Sequence, residues 1–248
     1  RLAGHLQRHD PGPLMARVRS VDLGSSFLPS LEGVCELLLV RHGEQELAHN
    51  MAMGDAVDAP LSDLGRRQAA AVAGALADRE IHAVYSSPMR RARDTAAEIA
   101  GHHGLDISER GELVEIELWR NIPQDKGLLD AIDRDELRAI MREGNRTQRW
   151  DAYPYSEPRD EFRHRIVTAI DEIVASHEGE RVVVACHSGV INGYLAHSMA
   201  SSIDTPCTLH HSSVSTVRAM DDLRRVVQVN DHDHVRSFQS ALNPINAL

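Results

Sequence analysis

Arg181-Val182-Val183-Val184-Ala185-Cys186 is the most β-branched run in the chain, apolar at consecutive rather than alternate positions. Such a strand must be covered on both faces, as happens in a parallel sheet clad with helices. The run stops at His187-Ser188-Gly189, and a helical stripe through Val190, Ile191, Tyr194 and Leu195 takes over. A second stretch has the same design. Cys35-Glu36-Leu37-Leu38-Leu39-Val40 has the length of a buried strand and breaks at once into Arg41-His42-Gly43-Glu44. Each run therefore delivers a histidine to its carboxyl end, the edge at which open parallel sheets bind ligands.

Between these two runs strand, loop and helix alternate. Ser62 predicts the N-cap of a helix running through Ala69, Val72, Ala73 and Leu76 and ending by Arg79. Ile81 to Tyr85 predicts a short strand, and Ser87-Pro88 ahead of an apolar series closed by Gly101 predicts the next helix. Residues 116 to 158 are charged, contain a helix expected near Leu128 to Glu143, and end in Tyr153-Pro154-Tyr155-Ser156-Glu157-Pro158. That is long for a connection, and inserts of this kind serve as caps or binding elements. Phe162, Ile166, Ile170, Ile173 and Val174 share one face of a helix that Gly179 is expected to end. Val214 to Met220 and Arg224 to Val229 read as closing strands. Strands separated by helices predict an α/β layer fold with a largely parallel sheet. Residues 1 to 34, with Asp10-Pro11-Gly12-Pro13 and no sustained period, read as a flexible N-terminal extension; residues 35 to 248 read as a single domain.

Composition narrows the function. The chain has 248 residues, 42% of them hydrophobic, enough for a sizeable core. Against 37 Asp+Glu stand 27 Lys+Arg, a net charge of −10, which argues against a nucleic-acid partner. No apolar run approaches the ~20 residues of a membrane helix, and no signal-peptide series opens the chain, so no membrane association and a cytoplasmic location are expected. Cys35, Cys186 and Cys207 are odd in number and far apart, as suits reduced thiols. Cys186 and His187 are neighbours on a strand and point to opposite faces, a poor start for a Cys-His dyad.

If the strands are parallel, His42, His187 and the Arg91 that follows the second strand emerge at one edge together with Arg41. Two arginines and two histidines gathered in this way repel one another unless an anion joins them. A guanidinium fork matches phosphate oxygens, a helix starting near Ser188 adds backbone donors, and a neutral imidazole can attack phosphorus. Arg66, Arg67 and Arg90 are better read as helix-surface charges. His210-His211 and Asp231-His232-Asp233-His234 gather polar ligands, but no third ligand has a recognisable metal spacing, so neither metal nor cofactor is expected.

Leu38-Leu39-Val40-Arg41-His42-Gly43-Glu44 resembles the signature of the histidine phosphatase superfamily, which includes cofactor-dependent phosphoglycerate mutases and many acid phosphatases. Three later stretches resemble it in order: Leu61-Ser62-Asp63-Leu64-Gly65-Arg66-Arg67-Gln68-Ala69, Ser87-Pro88-Met89-Arg90-Arg91-Ala92-Arg93-Asp94-Thr95-Ala96, and Val183-Val184-Ala185-Cys186-His187-Ser188-Gly189-Val190-Ile191. Together they span residues 38 to 191. The resemblance implies a three-layer α/β/α, phosphoglycerate mutase-like fold with a cap at about 116–158. It implies His42 as the nucleophile that becomes phosphohistidine, Arg41, Arg91, His187 and Ser188 in the phosphate pocket, and Glu115 as proton donor, with Glu117 the alternative. The implied activity is hydrolysis of a small phosphate monoester, of the histidine acid phosphatase type and without metal. A phosphoglycerate mutase and a catalytically impaired phospho-ligand binding protein are the alternatives, and a homo-oligomeric state stays open. Gln45 and Ala48 stand where relatives commonly carry Thr or Ser and Asn, and Asn192 where many carry Arg. These departures bear on the substrate, with Asn50 the candidate to rebuild the pocket.

Overall fold

The structure, a computed structural model, describes residues 33–238. The expected N-terminal extension lies outside the described residues apart from Gly33 and Val34.

Six strands form one sheet: β1 (Cys35–Arg41), β2 (Ala83–Ser86), β3 (Ile107–Glu109), β4 (Arg181–Cys186), β5 (Val214–Met220) and β6 (Leu223–Asp231). Their order is β3-β2-β4-β1-β5-β6. The first four run parallel, and β5 and β6 close the sheet antiparallel. Among the helices are α1 (Met53–Val57), α2 (Asp63–Leu76), α3 (Arg90–His103), α4 (Leu128–Ala131), α5 (Arg134–Thr147), α6 (Arg159–Ser176) and α7 (Ser188–Ser198). Alternation along β1 explains the layers. Leu38 and Val40 pack with Val72, Leu76, Ala96 and Ile99 of α2 and α3. Leu37 and Leu39 face the other way, against Phe162, Ile166, Ile170 and Ile191 of α6 and α7. All seven residues of β1 are buried, which is what a run without polar alternation requires.

Several element ends differ from expectation. α3 starts at Arg90 rather than at Pro88, with the Ser87 hydroxyl accepting the Met89 amide. It passes through Gly101 and ends against Gly104, whose φ of 64° suits a left-handed cap. α6 ends at Ser176, before Gly179. The single helix expected from Leu128 to Glu143 is two, because Asp133 turns its carboxylate onto the amides of Asp135 and Glu136 and starts α5 afresh. The insert also has a small core of its own, in which Trp119, Ile122 and Leu137 pack with Met53 of α1. The loop after β1 thus belongs to the cap.

Candidate active site

Parallel pairing of β1 with β4 places Arg41 opposite Cys186, so the next residues, His42 and His187, leave the sheet side by side. The His42 amide donates to the Cys186 carbonyl at 3.0 Å, and the two imidazole centroids lie 5.1 Å apart. β2 flanks β4 on its other side, and the Ser87 amide reaches the Ala185 carbonyl at 3.0 Å. Three neighbouring parallel strands therefore deliver His42, His187 and the Ser87–Arg91 turn to one edge.

His42 is buried and its tautomer is set locally. Nδ1 lies 2.6 Å from the Gly43 carbonyl oxygen, which only accepts, so Nδ1 holds the proton and Nε2 holds the lone pair. Arg91 Nε donates to that Nε2 at 3.1 Å. Burial first, then the charges of Arg91, His187 and Arg41, hold the His42 pKa well below 6.5. His187 is held low mainly by burial, with Arg91 and Arg41 adding to it. Its Nε2 meets the Ser87 hydroxyl at 2.8 Å, while its buried Nδ1 has no hydrogen-bond partner among the described residues.

The two guanidinium groups have different neighbours. Arg41 NH1 donates to the Leu209 carbonyl at 2.5 Å and NH2 to His211 Nε2 at 3.0 Å, while its buried Nε has no partner among the described residues. Burial lowers Arg41 to about 10, with Glu115 opposing, which leaves it charged near neutrality. Arg91 NH1 donates to the Val57 carbonyl at 2.7 Å, and NH2 approaches Met89 Sδ at 3.6 Å. Val57 and Met89 line a cavity of about 500 Å³ together with Pro88, Val114, Glu115 and Glu117.

The structure separates the two carboxylate candidates. Glu115 is half-buried, its Oε2 accepting the Gly189 amide and its Oε1 the Ile116 amide, each at 3.0 Å. Its carboxylate thus sits at the start of α7, close to His187. Glu117 is exposed and bonded to Arg120 at 2.7 Å. Ser188 opens α7 and is half-buried.

The second motif stretch supports the loop after His42. Ser62 caps α2 by accepting the Gly65 amide at 3.0 Å, and Gln68 accepts the Glu44 amide at 2.8 Å. Gly65 packs so closely that a Cβ there would overlap the Glu44 carbonyl. Arg66 and Arg90 are exposed on helix surfaces, as read from the sequence. Asn50 does not rebuild the pocket. It accepts the Leu129 amide and donates to Asp130, both at 2.9 Å, and so fastens the loop to the cap. Asn192 bonds the Ser188 carbonyl and the Cys207 amide.

Sequence reasoning missed three neighbours of the site. Ser87 and Thr95, which accepts the Gly43 amide at 3.1 Å, lie inside a motif stretch but were given no role. His211 drew notice only as half of a histidine pair, yet its ring centroid is 5.7 Å from that of His42. Among the described residues no group of three or more His, Cys, Asp or Glu side chains is arranged to hold a metal ion.

Residues 37–232 match the profile of the histidine phosphatase superfamily (branch 1). Phosphoglycerate mutase-like protein 4 of Arabidopsis thaliana is 32% identical over 200 residues, 78% of this chain and 84% of that protein. The metal-independent phosphoserine phosphatase of the same plant is 30% identical over 209 residues, 82% and 84% of the two chains. Among solved structures, the native mycobacterial glucosyl-3-phosphoglycerate phosphatase is 26% identical at a TM-score of 0.65, covering 80% of this chain and 99% of its own.

Proposed function

The chain belongs to the histidine phosphatase superfamily and is a phosphatase, and we propose that it hydrolyses small phosphate monoesters on His42, in the manner of the histidine acid phosphatases. The observation that carries this reading is the His42 ring itself. It is neutral, its proton is held on Nδ1 by Gly43, and its Nε2 lone pair faces Arg91 within a buried cationic edge. A dianionic phosphoryl group satisfies the charges of Arg41 and Arg91, and it takes over the donor that Arg91 now gives to Nε2.

The chemistry follows in two steps. His42 Nε2 attacks phosphorus, the bond to the ester oxygen breaks, and Glu115 as its acid gives that oxygen a proton. Water then attacks the phosphohistidine, the P–N bond breaks, and the Glu115 carboxylate takes the water's proton, so that phosphate and free His42 are released. Arg41, Arg91 and His187 stabilise the equatorial oxygens throughout. Supporting the small-ester reading are the cavity beside Glu115 and the relatives named for phosphoserine and glucosyl-3-phosphoglycerate. Supporting a reducing, cytoplasmic setting are the three free thiols; burial pushes that of Cys35 up to about 12. Among the described residues no helix is long and apolar enough to cross a membrane.

Rapid-quench labelling with ³²P-labelled p-nitrophenyl phosphate tests the proposal. An acid-labile phosphoenzyme is expected in the wild type, and both label and turnover should vanish in His42→Ala. Full turnover by His42→Ala would overturn it. Parallel assays on 3-phosphoglycerate with its bisphosphate cofactor should show hydrolysis rather than isomerisation.

A further inference from the structure

The loop before β5 does more than connect. β5 pairs antiparallel with β1, Val40 opposite Val214, and this brings residues 209–213 alongside Arg41. The backbone fastens the loop there: the Ser212 amide donates to the Arg41 carbonyl at 3.0 Å, and the Arg41 amide to the Ser213 carbonyl at 3.1 Å. From this loop come both partners of the guanidinium. Leu209 offers a carbonyl to NH1 and His211 offers Nε2 to NH2. Nε, buried and without a partner among the described residues, is the nitrogen left over.

We propose that His211 is a positioning residue for phosphoryl transfer: its Nε2 lone pair accepts Arg41 NH2 and fixes the guanidinium so that the buried Nε–H remains available to the substrate's phosphate. The inference rests on the proposed function, because it assigns Arg41 to the phosphate. It requires a neutral His211 with its proton on Nδ1, since an imidazolium has no lone pair to offer. The surroundings meet that requirement. The ring is half-buried and is faced by Arg41, Arg91, His42 and its neighbour His210; burial first and then Arg41 bring its pKa down to about 3. His211 therefore gives up no proton during turnover and acts only through Arg41.

A double-mutant cycle on inhibition by inorganic phosphate tests this. His211→Phe keeps the ring and removes the acceptor, whereas His211→Gln keeps an acceptor on a different frame. The Ki of His211→Phe should rise about 10- to 100-fold, as for a lost hydrogen bond to a charged group. His211→Gln should stay within about threefold of wild type, and in an Arg41→Ala background His211→Phe should add less than about twofold. The loss should appear in KM for p-nitrophenyl phosphate more than in kcat. An unchanged Ki in His211→Phe, or the same rise with and without Arg41, would overturn the inference.

A second measurement needs no variant. Nitrogen-15 shifts of the wild-type His211 ring should show a neutral Nδ1–H tautomer from about pH 5 to about pH 9; a ring that titrates in that range, or is protonated on Nε2, contradicts the proposal. Should the wild type neither bind inorganic phosphate nor form phosphoenzyme, the proposed function falls first. If it does both and the cycle shows no coupling, only the role of His211 falls.

Discussion

Glu115 Oε2 accepts the Gly189 amide at 3.0 Å, which seats the carboxylate in the first turn of the helix that begins beside His187. A helix N-terminus holds a carboxyl group in place through its exposed amides. Glu115 also bears electrostatically on both Arg41 and Arg91, the two arginines assigned to the phosphate in the proposed reaction. An acid placed here matters most for esters whose alcohol is a poor leaving group. Glu115→Gln should cut kcat on an alkyl phosphate by about 100- to 10,000-fold. The loss on p-nitrophenyl phosphate should be far smaller, because nitrophenolate departs without a proton. Equal losses on both esters would remove Glu115 from the acid's role and direct attention to Glu117.

Gly189 allows that contact by having no side chain. A Cβ at this position would overlap Glu115 Oε1 and press on the Ile116 side chain at 3.3 Å. Gly189→Ala should therefore displace the carboxylate and reproduce the leaving-group dependence of Glu115→Gln. Arg41, Arg91 and His42 keep their places on other elements, and moving the Glu115 carboxylate off the two guanidinium groups takes away a negative charge, so the Ki for inorganic phosphate should not rise. A Gly189→Ala protein with normal kcat on alkyl phosphates would show that the position of Glu115 is not critical.

Much of this arrangement was legible beforehand, for physical reasons. The unbroken apolar runs of β1 and β4 required a parallel, doubly covered sheet, and parallel strands bring their following residues, His42 and His187, to one edge. Helix ends were harder. Gly101 and Gly104 both punctuate the sequence, and only a positive φ at Gly104 marks the cap. Asp133 splits the cap helix through a side-chain bond that periodicity does not register. His211 lay out of reach because its place beside Arg41 follows from β5 pairing with β1, and strand order is not readable from local pattern.

Buried neutral histidines also set a pH limit on stability. The unfolded chain binds a proton on each ring near pH 6.5, whereas burial keeps His42 and His187 unprotonated in the folded state well below that value. The unfolded state thus binds more protons in this window, so the stability is present above pH 6.5 and is lost as pH falls. Each ring that stays neutral contributes a slope of about 1.4 kcal/mol per pH unit. Glu36, which Arg181 and Arg218 hold below 4.5 against the effect of burial, acts only at lower pH. Thermal midpoints of the wild type should fall between about pH 6.5 and pH 4.5, and His187→Gln should give a shallower fall. Parallel slopes would mean that His187 takes up its proton in the folded state.

Asn50 gives a way to separate the cap from the proposed phosphate site. It sits at φ 50°, a conformation that Asn tolerates better than Ala, and spends both ends of its amide on Leu129 and Asp130. Asn50→Ala removes both bonds and leaves the Leu129 amide without that acceptor, a cost of about 1 to 3 kcal/mol confined to the cap. Amide exchange over residues 128–131 should accelerate by about 10- to 100-fold, matching that cost as local opening. The groups proposed to hold the phosphate should not follow, because His42 and His187 are held by β1 and β4 and Arg41 by the loop before β5. The Ki for inorganic phosphate should therefore stay within about threefold of wild type. For bulky esters that reach the cap, KM should rise. A rise in phosphate Ki as large as the change in exchange would mean instead that the cap governs Arg91, through the Val57 carbonyl that its NH1 holds at 2.7 Å.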